Sequence, residues 1–252
     1  MTLAADARPD AGFRLRLVPL LVVTALGFGL PYLAAYAAFF SSRLFHTPSP
    51  QGPTLPWLYM QHALQLIFGL IAIVMMKRLV PGDYGLHLPR GKTYIGAALL
   101  WGAFFGVLMT LVDYAPHILA GTKPDLGFPL TAPNVSGWLF FEGVYVGPTE
   151  EIPFRALLVT YLAATMPGTL RLGRFQMNWA GIIVALIFAL LHATNFSLRA
   201  WPLALGQQIY AFALGVLYAY WLEESRSIVA PIIGHNVGDF VEYAIAILWV
   251  AA

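Results

Sequence analysis

Seven apolar stretches of about 20 residues or more constrain this chain more than any other feature. They cover roughly residues 17–40, 57–76, 95–119, 137–166, 178–197, 201–222 and 228–251. A helix rises about 1.5 Å per residue, so each run is long enough to cross the roughly 30 Å of hydrocarbon in a bilayer. The pattern predicts an all-α, polytopic membrane protein with about seven transmembrane helices around a buried polar site. Composition agrees: 59% of residues are hydrophobic and 10% charged, with a mean hydropathy of +0.72, whereas soluble domains carry about a quarter charged residues. The first run follows Arg14 and Arg16 and ends near an Ala-Tyr-Ala tripeptide, which superficially resembles a secretory signal. A signal h-region spans only about 7–15 residues, so this longer run reads as a retained first span.

The connections carry turn chemistry, as in the Pro- and Gly-rich segments 47–56, 80–92, 121–136 and 166–176. None has room for a soluble domain, and no internal repeat suggests an inverted-repeat transporter. A single membrane domain over residues 1–252 is expected. Ten of the 14 Lys and Arg residues fall in connections on the N-terminal side of the membrane and three on the other, which predicts a cytoplasmic N-terminus. The remaining one, Arg155, lies inside a span. A net charge of +2 is too mild to imply a nucleic-acid partner. The absence of cysteine excludes disulfides, thiolate catalysis and cysteine metal ligands.

Charge near a bilayer centre costs at least about 2.5 kcal/mol, so the charged residues inside spans mark the place to look for chemistry. The fourth run holds Pro-Thr-Glu-Glu-Ile-Pro-Phe-Arg at 148–155, which puts Glu151 and Arg155 one helical turn apart beside Glu150. The fifth places Phe188 and His192 one turn apart, and the seventh does the same for His235 and Asp239. Three spans thus offer carboxylates and imidazoles to one interior. Pro148 and Pro153 remove the helical donors to the carbonyls of Val144 and Thr149, which predicts a distorted helix around Glu150 that admits water. Plainer roles are expected elsewhere: packing for His62 and Phe188, non-catalytic roles for Glu142 and Glu242, interhelical hydrogen bonding for Gln207 and Gln208, and interfacial positions for Trp57, Trp179 and Trp201.

These motifs, EExxxR, then FxxxH, then a histidine with a polar residue four positions later, resemble the CAAX protease and bacteriocin-processing family, which includes the Ras-converting CAAX endopeptidases. The resemblance covers about the last 115 residues, making 137–251 the expected catalytic helical core and 17–119 the N-terminal spans. It implies an intramembrane endopeptidase in the cell (inner) membrane, acting on a membrane-associated peptide or a lipidated protein tail among membrane lipids. Glu150 would act as general base on water, assisted by His192, with His235 and Asp239 binding the carbonyl oxygen or orienting their neighbours. Glu151, Arg155 and Phe188 would support them. The sequence departs from the pattern at Asp239, where many members carry Asn, and at Pro153 inside the first motif.

Peptide hydrolysis needs an activated nucleophile, oxyanion stabilisation and a proton for the leaving amine. No GxSxG elbow, HExxH helix or GxGD motif is present, so water is the expected nucleophile and no cofactor is required. Glu150, His192 and His235 are also an acceptable zinc ligand set, which stays open at this level. So do a non-enzymatic bacteriocin immunity or scaffold protein and a proton-coupled transporter using the same residues as a relay. One mismatch of depth is expected: His235 would lie roughly 12 Å into its span and His192 roughly 21 Å into its own.

Overall fold

The computed structural model of the chain describes residues 14–44, 54–172 and 175–252. Arg8 and Arg174, part of the charge count above, and most of the connection 47–56 lie outside the described residues. Three helices come first: α1 (Leu17–Leu44), α2 (Leu55–Leu79) and α3 (Ile95–Asp113), followed by the short α4 (Ala115–Ala120). Next is α5, an unbroken helical stretch over residues 132–165. A two-stranded antiparallel hairpin, β1 (Thr169–Leu172) with β2 (Phe175–Asn178), leads into α6 (Trp179–Leu191), which tightens into a 3₁₀ turn at His192–Ser197. Then come α7 (Trp201–Ser225) and α8 (Val229–Ala251).

The regular structure of the described residues is therefore helical apart from the hairpin, which falls in a connection expected to be an irregular loop. Among the described residues, five helical stretches are long and apolar enough to cross a membrane: Leu17–Ser41, Leu55–Leu79, Ile95–Asp113, Trp179–Ser197 and Trp201–Ser225. The other two expected runs are helical as well, but α5 is divided into short segments and α8 carries His235, Asn236, Asp239 and Glu242. The third run, read as continuous over 95–119, stops at Asp113. Pro116 has no N–H to continue the ladder, and the chain turns at Tyr114 before α4.

Local chemistry explains where the helices begin. Prolines occupy the first turn of α2, α4, α5 and α7, where a missing N–H costs nothing because those donors have no intrahelical partner. At α6 the Asn178 side chain accepts from Ala180 N at 2.8 Å, a helix N-cap. Large apolar side chains such as Leu33, Ile71, Val74, Leu100 and Phe104 face outward, giving α1, α2 and α3 a surface suited to hydrocarbon.

The seam that seats the site is the one between α3 and α8. Gly102 and Gly106 of α3 oppose Gly234 and Gly238 of α8, and a Cβ on Gly106 would stand only 2.5 Å from the Gly238 carbonyl oxygen. Small residues four apart let two backbones approach this closely, which is how helices gain packing energy where water is absent. The approach fixes α8, and with it His235 and Asp239, against the rest of the bundle.

The α2–α3 connection is pinned to the α7–α8 turn. Ile228 N donates to Gly85 O at 3.0 Å and the Ser227 hydroxyl donates to His87 O. Within the loop, Asp83 accepts from Gly85 N at 3.0 Å and from His87 Nε2 at 2.8 Å. Burial pushes the Asp83 carboxyl up, but the bonds from His87 and Gly85 outweigh it and hold the group below its ordinary value. His87 is raised by its bond to Leu88 O and then by Asp83. A depressed acid contributes stability above its unfolded pKa, and a raised histidine contributes below its own. The clasp should thus be tightest between about pH 4 and pH 6.5. Hydrogen-exchange protection factors at Gly85 and Ile228, corrected for the intrinsic pH dependence of exchange, should be highest there and fall on both sides, and Asp83→Asn should flatten the profile.

Candidate functional site

The site is organised by what two prolines do to α5. Pro148 and Pro153 deprive the Val144 and Thr149 carbonyls of their usual donors four residues on. The helix responds with two wider, π-helical stretches, Phe141–Tyr145 and Ile152–Val159, flanking an α-helical segment at Val146–Glu151. π-turns of this kind relieve a mismatch in the ladder and recur at functional sites. The deprived carbonyls do not go unpaired. Asn236 of α8 donates its Nδ2 to Val144 O at 3.2 Å, and Gln65 of α2 donates its Nε2 to Thr149 O at 3.2 Å. Asn236 also accepts from Gly147 N at 2.7 Å. A side chain at Gly147 would collide with that amide. The expected distortion is therefore present, and it serves as docking points for α2 and α8 on either side of Glu150.

Replacing Gln65, which is 2% exposed, by Leu removes the donor to Thr149 O and leaves a buried acceptor short of a partner. The expected loss of stability is about 1–3 kcal/mol, readable as a lower melting temperature of the purified protein. An unchanged melt would mean that the carbonyl is satisfied without it.

Glu150 faces inward between two imidazoles. Its Oε1 lies 3.3 Å from His62 Nε2 and its Oε2 lies 3.8 Å from His235 Nε2. Glu151, one position on, points the other way into the protein and is 0% exposed. Its Oε1 stands 2.7 Å from His235 Nδ1 and 3.1 Å from Arg155 Nη1. Arg155 is also fully buried. Its pairing with Glu151 is electrostatic rather than a well-aligned hydrogen bond, and its guanidinium lies 4.3 Å over the Phe188 ring and 5.5 Å over Tyr218. The aromatic faces stabilise a cation cut off from water.

His235 sits at the centre of this arrangement. Nδ1 meets Glu151, Nε2 lies 3.1 Å from Asp239 Oδ2, and the Tyr218 ring stacks against it at 5.9 Å. Each ring nitrogen faces a carboxylate oxygen, so each acts as a donor. His192 is different. Its Nδ1 lies 3.0 Å from Phe188 O. A carbonyl oxygen only accepts, so Nδ1 carries the hydrogen and Nε2 keeps its lone pair. The residue caps the C-terminal end of α6, where the helix tightens into the 3₁₀ turn. Despite the expected difference in depth, His192 and His235 border one cavity.

A cavity of about 420 Å³ brings these groups together, with Glu150, Phe188, His192, His235 and Asp239 all in its wall. A second cavity of about 210 Å³, bounded by Pro31 and Tyr32 of α1, shares Glu150, Phe188 and His192 with the first. Every residue expected in a catalytic role thus borders one space, while Glu151 and Arg155 lie behind it. Phe188 packs, as expected, and also carries Arg155 on its face. Glu142 and Glu242 line the same cavity, which closes toward Asp113. There the Asp113 carboxylate pairs with Arg199 at 3.2 Å and accepts from the Tyr210 hydroxyl at 2.8 Å.

Two expectations bear directly on Glu150. His62 is a buried, hydrogen-bonded histidine, but its partner is Glu150 itself. The alternative zinc set of Glu150, His192 and His235 does not gather into a ligating cluster; among the described residues, no three His, Asp or Glu side chains do. The chelating atom of His235 is instead directed at Asp239. Asn236, Gln65 and His62 escaped sequence reasoning. Only the two prolines, which announce carbonyls in need of donors, could have pointed to the first two. Gln207 accepts from Asn195 Nδ2, tying α7 to the 3₁₀ turn as expected of an interhelical polar residue, whereas Gln208 Nε2 is buried without a hydrogen bond.

Comparison with known proteins gives one family. Residues 132–241 match the model described as type II CAAX prenyl endopeptidase Rce1-like. The matched segment starts at the first residue of α5 and contains both glutamates, Arg155, Phe188, His192, His235 and Asp239. No curated protein and no solved structure matches the chain.

Proposed function

Given that the chain carries a CAAX-protease-family domain over residues 132–241, we propose that it is an intramembrane endopeptidase in which Glu150 activates water. The observation that carries this reading is the convergence of Glu150, His192, His235 and Asp239, from α5, α6 and α8, on the wall of one cavity. All seven expected spans cross the membrane in this reading, α5 and α8 being the two whose polar site residues lower their hydropathy. The N-terminus is cytoplasmic and the host is the cell membrane.

The reaction follows from the atoms available. Glu150 Oε2 takes a proton from water as the water oxygen attacks the scissile carbonyl carbon. The carbonyl oxygen gains the negative charge and receives a hydrogen bond from His235 Nε2–H, which turns to it from Asp239 while Glu151 keeps Nδ1 engaged. When the tetrahedral intermediate collapses, the C–N bond breaks and the leaving amine takes a proton relayed through His192 Nε2. Arg155 pairs with Glu151 behind the site. No cofactor enters these steps.

The substrate follows the family name: a peptide or protein tail carrying a prenylated cysteine, its lipid lying in the bilayer. Purified protein in proteoliposomes, given a synthetic farnesylated peptide ending in Cys-aliphatic-aliphatic-X, should release the terminal tripeptide, detected by mass spectrometry. Retention of cleavage after exhaustive chelation supports the metal-free mechanism; loss restored by zinc supports the metal reading. Absence of cleavage of prenylated and unprenylated peptides alike would defeat the protease reading.

A second reading draws on the carboxylates Asp113, Glu142 and Glu242, which extend the cavity away from the histidines. Such a file of acids suits a proton relay. Proton flux in the same liposomes, without peptide cleavage, would favour it.

A further inference from the structure

The matched segment does not supply everything that touches the base. We infer that His62, on α2 and outside residues 132–241, is a positioning residue that holds Glu150 by one oxygen so that the other faces the reacting water. The inference rests on the protease reading above.

Four observations support it. His62 Nε2 lies 3.3 Å from Glu150 Oε1, whereas Oε2 is turned toward His235 at 3.8 Å. The His62 ring is itself fixed, with Nδ1 3.0 Å from Leu58 O and an edge-to-face contact with Phe141 at 4.9 Å. It is 7% exposed, so the ring itself is held away from solvent. Three residues along the same face, Gln65 binds the Thr149 carbonyl next to Glu150. α2 therefore grips the backbone before the base and the carboxylate of the base at once.

The hydrogen-bond inventory defines what the contact does. Leu58 O can only accept, so Nδ1 carries a hydrogen, and in this proposal Nε2 carries one as well and donates it to Oε1, which leaves Glu150 the carboxylate that the reaction needs. With Oε1 occupied in this way, Oε2 is the oxygen left for water. A carboxylate free to rotate would present either oxygen in many orientations, and catalysis falls steeply when a reacting group is misplaced by as little as about 1 Å. The site is thus built from two parts of the chain, one supplying the reacting groups and the other aiming them.

The experiment compares His62→Phe, which keeps the aromatic contact and loses the polar atom, with His62→Gln, which keeps a donor. Both are measured against wild type and Glu150→Gln in the farnesylated-peptide assay. His62→Phe should lower kcat at least tenfold with KM within about twofold, His62→Gln should stay within about threefold of wild type, and His62→Phe should have no further effect in the Glu150→Gln background. A structural role would lower abundance or raise KM, and Gln would not rescue it. Wild-type kcat in His62→Phe, or equal loss in Phe and Gln, overturns the inference while Glu150-dependent cleavage still stands. Cleavage independent of Glu150 overturns the protease reading, and this inference with it. Should His62→Phe not accumulate in membranes, His62→Leu takes its place under the same criteria.

Discussion

Glu150→Gln should reduce turnover of the farnesylated peptide by about a hundredfold to ten-thousandfold, the range associated with loss of a positioned general base. The substitution is nearly isosteric, and its amide oxygen can still accept from His62. Packing around residue 150 should therefore persist, and the melting temperature should stay within a few degrees of wild type. This separation of activity from stability is the informative part. The neighbouring glutamate has no access to the cavity and cannot take over, because its carboxylate is engaged by His235 and Arg155 and is 0% exposed. Turnover above a tenth of wild type in Glu150→Gln would remove the residue from the role of base.

Glu151→Ala should show the opposite emphasis. It leaves Arg155 fully buried without its carboxylate, against the Phe188 and Tyr218 rings. Breaking one side of a buried ion pair costs about 3–5 kcal/mol, because the remaining charge keeps its desolvation penalty. For a chain of this size the melting temperature should fall by roughly 10 °C. The double variant Glu151→Leu/Arg155→Leu removes both charges and should recover much of that loss, since apolar replacement of a whole buried pair is often neutral. It should not recover activity, because His235 Nδ1 has still lost its 2.7 Å partner. Recovery of activity by the double variant would show that Glu151 does nothing for His235.

The two variants assign different duties to adjacent residues of the same type. Consecutive positions on a helix are about 100° apart, so Glu150 and Glu151 meet different surroundings although both reach His235. One borders the cavity and the other seals the space behind it. The EE pair is legible from the chain, but the division of duties is visible only once α8 and α6 are packed against α5.

Apolar run length and intramembrane charge are one-dimensional properties, and they suffice to place the helices and to nominate Glu150, His192, His235 and Asp239. They also give the two prolines and hence the two deprived carbonyls, because helix hydrogen bonding is local and can be counted along the chain. What answers a deprived carbonyl is not local. Asn236 and Gln65 reach Val144 O and Thr149 O from helices distant in sequence. His62 likewise has no periodicity or motif to mark it as the partner of Glu150. Contacts of that kind depend on how closely backbones approach, as at the glycine seam between α3 and α8, and only the packed bundle decides that distance.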